Sequence, residues 1–185
     1  GSSMAKEEKK CELTPGLKAE IVELVIKTYR EEIERQRKTA FDRRLRNTKL
    51  LLVNYRGLLA YSESAIFEAS QCDEDVYDIL SLMSGKPSEQ ELYVESIKKS
   101  AGRTKLIIEH IKKAISDYED FCVRTGRAEE MRRVRTIRRL YIDDDGWSIA
   151  DIAKDEVVDV STVYKDIKEA EKRLTPRLFG IDGIR

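Results

Sequence analysis

The chain has 185 residues, 41% of them hydrophobic and 38% charged, with 35 basic side chains balanced by 35 acidic ones. That apolar content suffices for the core of one or two small domains, and dense charge with only three prolines and nine glycines favours long solvent-faced helices over sheets, so an all-α protein is expected. No run of about 18 apolar residues spans a membrane, the odd and widely spaced Cys11, Cys72 and Cys122 fit neither a disulfide framework nor a zinc site, and a single histidine without a phosphate loop or nucleophile motif excludes the usual enzyme constellations.

Residues 1–13 are polar and are expected to form a disordered tail, in which Gly1-Ser2-Ser3 reads as a tag remnant before Met4. Thr14 is placed to cap a helix with Pro15 in its first turn, and Val22, Val25 or Ile26, Tyr29 and Ile33 carry it as an amphipathic stripe to about Thr39. A second helix is expected from Phe41 to about Glu68, where the run Leu50-Leu51-Leu52-Val53, apolar all round, suggests the centre of a bundle. Arg35, Arg37, Lys38, Arg43, Arg44, Arg46 and Lys49 form a basic cluster that reads first as a solvated face and otherwise as a contact for DNA or polymerase. Asn47 and Asn54 are candidates for buried polar residues that fix register.

Asp73 to Met83 reads as a short helix stopped by Ser84-Gly85-Lys86-Pro87. Ser88 and Glu91 have capping-box spacing for another helix reaching about Ser100, and Gly102 is expected to break it. From Arg103 to about Arg124, Ile107, Ile111, Ala114, Tyr118, Phe121 and Cys122 recur at near-heptad spacing, suited to packing within the bundle or against a second copy in a homodimer. Thr125-Gly126 ends the helix and is taken as a domain boundary. Residues 14–125 thus read as a helical bundle for interaction or oligomerisation, and residues 127–185 as a separate domain.

That second domain opens with a helix from Ala128 to about Ile142, with Met131, Val134, Ile137 and Tyr141 inward. It carries Arg127, Arg132, Arg133, Arg135, Arg138 and Arg139, and Asp143 to Asp159 is acidic with only Lys154 opposing. A basic helix followed by an acidic stretch suggests that the first faces DNA and the second is held away from it. Asp143-Asp144-Asp145-Gly146 reads as a helix stop in solvent, and no metal ligand is assigned.

Trp147 to Leu174 then has the pattern of a helix-turn-helix. Ser148 caps a short helix with Ile149, Ile152 and Ala153 on one face, Glu156-Val157-Val158 turn the chain, and Asp159 is placed to cap the second helix with its side chain. Val157 occupies the turn position often taken by glycine. Val160, Val163, Ile167, Ala170 and Leu174 form the expected buried face. The outward face carries Ser161, Thr162, Tyr164, Lys165 and Lys168 as base-facing candidates, with Lys172 and Arg173 joining Arg132, Arg133, Arg135, Arg138 and Arg139 as phosphate candidates. Pro176 to Arg185 is expected to fold Leu178, Phe179 and Ile181 back onto the domain. His110, beside Ile111, reads as a bundle residue and not as a general base. No catalysis and no cofactor is expected.

The stretch Trp147 to Leu174 resembles the fourth region of the sigma-70 class of transcription factors. The wider chain resembles the ArpU and RinA group of phage late-gene activators in two places. One is Arg44-Leu45-Arg46-Asn47-Thr48-Lys49-Leu50-Leu51-Leu52-Val53-Asn54-Tyr55-Arg56, and the other is Arg173-Leu174-Thr175-Pro176-Arg177-Leu178-Phe179-Gly180-Ile181-Asp182-Gly183, which in that group also follows the recognition helix. The resemblance implies a positive regulator of phage lysis and packaging genes that binds double-stranded promoter DNA with the host RNA polymerase, in the cytosol and on the nucleoid of a bacterial host. Two alternatives are a small terminase-like packaging subunit, which would form a ring of many copies, and a polymerase-binding interaction protein that never touches DNA.

Overall fold

The computed structural model describes residues 12–64, 74–85, 87–144 and 146–180. Among these the chain is all-α, with α1 (Pro15–Ser64), α2 (Val76–Ser81), α3 (Gln90–Lys98), α4 (Ala101–Thr125), α5 (Ala128–Ile137), α6 (Ile149–Glu156) and α7 (Val160–Phe179). No helix among them is long and apolar enough to cross a membrane. Two compact units divide the chain, Gly1–Thr39 and Ala40–Arg185. The division expected at Gly126 is not where the compact units part, because the core of the second unit takes side chains from both sides of that glycine. Cys11, Cys72, Lys86, Asp145, Ile181 and most of the polar tail lie outside the described residues.

In the first unit, the amide of Leu17 donates to Thr14 Oγ1 at 3.2 Å, the cap that the sequence suggests. The helix does not stop at Thr39. From Glu34 to Asn54 no glycine or proline interrupts a run rich in arginine, lysine and leucine, and the Thr39 hydroxyl folds back to the carbonyl of Arg35 without breaking the backbone ladder. α1 is therefore one helix where two were expected. The stripe at Val22, Ile26 and Tyr29 is exposed within its own chain.

The second unit packs α4, α5 and α7 against one another, with α6 on α7 and with α2 and α3 on α4. α1 contributes Leu51, Leu52, Tyr55 and Leu58 to its core, all fully buried, whereas Val53 is exposed and the Leu50–Val53 run is one-sided after all. The near-heptad residues Ile107, Ile111, Ala114, Tyr118 and Cys122 of α4 lie inside this core. They are occupied within the chain and offer no face to a second copy.

Polar residues tie the layers together. Asn47 is buried, donates to the Met83 carbonyl at 2.9 Å and accepts from Gln90 Nε2 at 2.8 Å, so it satisfies both ends of its amide and fixes α1 against the segment around α3. Asn54 only folds back onto Leu50. The hydroxyls of Thr48 and Thr175 meet at 2.9 Å and join α1 to α7. His110 takes a structural place, its Nε2 2.8 Å from the Leu178 carbonyl and its ring edge-on to Tyr77.

Four boundaries depart from expectation. Ser100, and not Gly102, separates α3 from α4, accepting the Arg103 amide as N-cap while Gly102 sits inside the helix. The Ser88–Glu91 box is replaced by a tight turn at Pro87–Glu89 before α3. α5 ends at Ile137 and widens into a π turn over Arg138–Ile142, whose carbonyls at Arg139 and Leu140, with that of the capping Asp143, accept the guanidinium of Arg56 from α1. That cation covers the negative end of the helix with several charge-assisted bonds. α7 in turn runs through Pro176 to Phe179, because proline in the last turn forfeits a single amide bond, and the added turn buries Leu178.

Candidate nucleic-acid interface

α6 starts in a capping box: Asp151 N donates to Ser148 Oγ at 3.1 Å, and the Ser148 amide reaches back to Asp151 Oδ2 at 3.4 Å. Ile152 and Ala153 face inward from it. The helix ends in a Schellman closure, with the Val158 amide on the Ala153 carbonyl at 3.0 Å and the Val157 amide on that of Lys154 at 3.4 Å. This closure requires a left-handed residue, and Val157 adopts it at φ 55 and ψ 51 while 88% exposed.

A β-branched side chain in that conformation is strained by about 1–2 kcal/mol, and Val157 has no packing to offset it. Glycine removes the strain but gives up roughly 0.5–1 kcal/mol of unfolded-chain entropy. Val157→Gly is therefore expected to stabilise the protein by up to about 1 kcal/mol, read as a higher urea midpoint at unchanged slope. A lower midpoint would contradict the account of the turn.

Asp159 stands at the N-cap of α7 with extended backbone, but its side chain makes no capping bond; its carbonyl instead receives the amides of Thr162 and Val163. Val163, Ile167, Ala170 and Leu174 are buried as expected, and Val160, in the first turn, is exposed. Ser161, Tyr164, Lys165, Lys168 and Lys172 all face outward along one side of α7, with Thr162 half-buried at its edge. Lys165 and Lys168 form no ion pair among the described residues, while Lys172 meets Glu169 at 3.1 Å. The result is a stripe of two hydroxyl side chains and three lysines at helical spacing.

The arginines of α5 and the π turn behave differently from expectation, because the basic stretch and the acidic stretch pair with each other. Arg132 grips Asp166 of α7 through two bonds at 2.6 and 3.0 Å, and Arg133 meets Glu130 at 2.9 Å and Asp166 at 3.6 Å. Arg135 is bidentate to Glu156 at 2.8 and 2.9 Å, and Arg139 reaches Asp155 at 2.7 Å while its guanidinium stacks over Trp147. Arg138 pairs with Glu119 of α4. Arg173 lies 3.4 Å from Glu130 and over the Phe121 ring. Hydrogen bonding from Arg135 holds the Glu156 carboxyl below its ordinary pKa. These cations lock α5 to its neighbours and pair with Asp155 and Glu156 of α6, so near the turn Lys154, Lys165 and Lys168 are left without an ion pair among the described residues, as are the exposed Asp151 and Asp159.

Three buried carboxylates escaped the reading of the sequence: Glu130, Asp166 and Glu171. Each interrupts an apolar stripe, three or four residues from inward side chains such as Val134, Val163 and Ile167, and that position is the signal that could have found them. Glu130 also accepts the Tyr118 hydroxyl at 3.1 Å. Burial pushes the Glu171 carboxyl above its ordinary pKa, against the opposing pull of Lys49 and Lys168. Among the described residues no cluster of histidine, cysteine or carboxylate side chains is arranged to hold a metal ion.

What these residues assemble is a short capped helix, a strained three-residue turn and a second helix whose exposed side is cationic and hydroxyl-bearing. Compared with protein-family models, with curated proteins and with solved structures, the chain finds no match.

Proposed function

We propose that the chain is a sequence-selective DNA-binding transcription regulator in which α6 and α7 act as a helix-turn-helix and α7 enters the major groove. The observation that carries this reading is the stripe of Ser161, Tyr164, Lys165, Lys168 and Lys172 on one exposed side of α7, near Asp155, Glu156 and Asp166, which are paired with arginines. Residues near the start of a recognition helix meet base edges, and those further along meet phosphates. Ser161, Thr162, Tyr164, Lys165 and Lys168 are accordingly the base-facing set, with Lys172 on the phosphate backbone. Of the phosphate candidates on α5 and the π turn, Arg132, Arg133, Arg135, Arg138 and Arg139 act as braces that hold α7 in place, since each already has a carboxylate.

The resemblance to phage late-gene activators supplies the biological side of the proposal: activation of lysis and packaging genes at a promoter, with the host RNA polymerase as second partner, in the bacterial cytosol. Selection of duplexes from a random pool by the full chain tests it. Enrichment of one motif is the expected result. Recovery of duplexes without any shared motif would overturn sequence-selective binding.

A further inference from the structure

The first unit carries an apolar face that has no partner among the described residues. Val22, Ile26 and Tyr29 are 55, 44 and 67% exposed, and Leu17, Ile21, Leu24 and Val25 beside them are exposed as well. A contiguous exposed stripe of this kind on a long helix marks an interaction surface. We propose that residues 15–39 are a dimerisation element that zips with the same segment of a second copy as a parallel, in-register, two-stranded coiled coil.

The spacing supports a coil seam. Ala19, Val22, Ile26, Tyr29, Ile33 and Gln36 follow one another at alternating intervals of three and four residues, the a and d positions of successive heptads. β-branched Ile26 and Ile33 fall at a, the position where such side chains favour two parallel strands.

The charges select the occupant and its direction. With this seam, Lys18 and Glu32 take g positions, and Glu23 and Arg37 take the e positions that follow them. In a parallel pair each g side chain faces the next e side chain of the other strand, so Lys18 meets Glu23 and Glu32 meets Arg37, twice each by symmetry. An antiparallel pair sets g against g and e against e and loses these matches. Lys18 and Glu23 form no ion pair among the described residues and are free to do so. Glu32 already bonds Arg35 and Gln36 within its helix, which makes Lys18 and Glu23 the better probe. The complementarity is internal to one sequence, so a second copy of this chain is the partner it fits. Dimerisation here is independent of whether α7 binds DNA.

Sedimentation velocity on the full chain over a range of concentrations tests the proposal. The parent is expected at about twice the 21.4 kDa chain mass. Ile26→Lys combined with Tyr29→Lys is expected to give a monomer with an unchanged helical circular dichroism signal, since both side chains are exposed in the single chain. Lys18→Glu turns two attractive pairs repulsive and is expected to raise the dimer Kd roughly tenfold, and adding Glu23→Lys is expected to restore it. A parent that stays monomeric, or one that assembles into more than two copies, would overturn the two-stranded coil. A dimer indifferent to Ile26→Lys with Tyr29→Lys would place association elsewhere, and a dimer that those substitutions dissociate but Lys18→Glu leaves unchanged would overturn the parallel direction.

Discussion

Asp166→Ala is expected to lower the folding stability of the second unit by about 3 kcal/mol, the low end of the range for removing one partner of a buried ion pair. Asp166 is 2% exposed and receives two bonds from Arg132 and a third approach from Arg133. Without the carboxylate, Arg132 loses its counterion between α5 and α7 and is left beside a second, like-charged guanidinium, that of Arg133, which keeps Glu130; each is about one-fifth exposed. Their partial access to water keeps the loss at the lower end. Against a typical total of about 5–15 kcal/mol, the effect is large. Asp166→Asn keeps the shape but not the charge and should also destabilise. Arg132→Met with Asp166→Leu removes both charges and is expected to recover most of the loss, because a matched apolar pair carries no desolvation penalty. Urea unfolding followed by circular dichroism reads all three variants. A loss below about 1 kcal/mol for Asp166→Ala, the value of an exposed pair, would show that this contact does not hold α7 in place.

Lys165→Ala and Lys168→Ala should each weaken binding to the selected duplex by about 1–3 kcal/mol and relax the base preference at one position. Neither residue makes an ion pair among the described residues, so neither loss is cushioned by an internal bond, and both side chains are exposed, so the fold should be untouched. Lys172→Ala is expected to weaken all duplexes alike and to reduce the salt slope by about one, the signature of a phosphate contact. Arg135→Ala provides the contrast. It should leave Glu156 without its main partner and lower stability, with little change in base preference. Fluorescence anisotropy over a salt series separates these outcomes. Equal binding of Lys165→Ala and the parent to every duplex would remove that residue from the base-facing set.

The sequence made much of the fold legible through caps and periodicity. Thr14, Ser148 and Gly126 mark helix ends by local chemistry, and the structure uses all three. The buried face of α7 follows from Val163, Ile167, Ala170 and Leu174 alone, because three- and four-residue spacing fixes which side a helix must bury. Where tertiary pairing decides, the same reading falls short. Six arginines followed by an acidic stretch look like a charged surface, yet Arg132, Arg135 and Arg139 find Asp166, Glu156 and Asp155 only once the helices have packed. The α4 stripe shows the converse limit, since near-heptad spacing reports an apolar face without saying whose surface covers it. Helix ends without strong local signals were also ambiguous, as in the uninterrupted passage of α1 through Thr39 and Phe41. The outward stripe of α7 was legible, and the pairing of Asp155, Glu156 and Asp166 with arginines was not.

The central claim is that the exposed side of α7 reads duplex DNA. Anisotropy of the full chain on the selected duplex and on a scrambled duplex of equal composition, at low and at physiological salt, tests it most directly. Electrostatic attraction to phosphates weakens steeply with salt, whereas base contacts persist as a difference between duplexes. The account predicts a preference for the selected duplex that survives the higher salt and is lost in the Lys165→Ala, Lys168→Ala double variant. Weak binding, equal on both duplexes and abolished by salt, would contradict it.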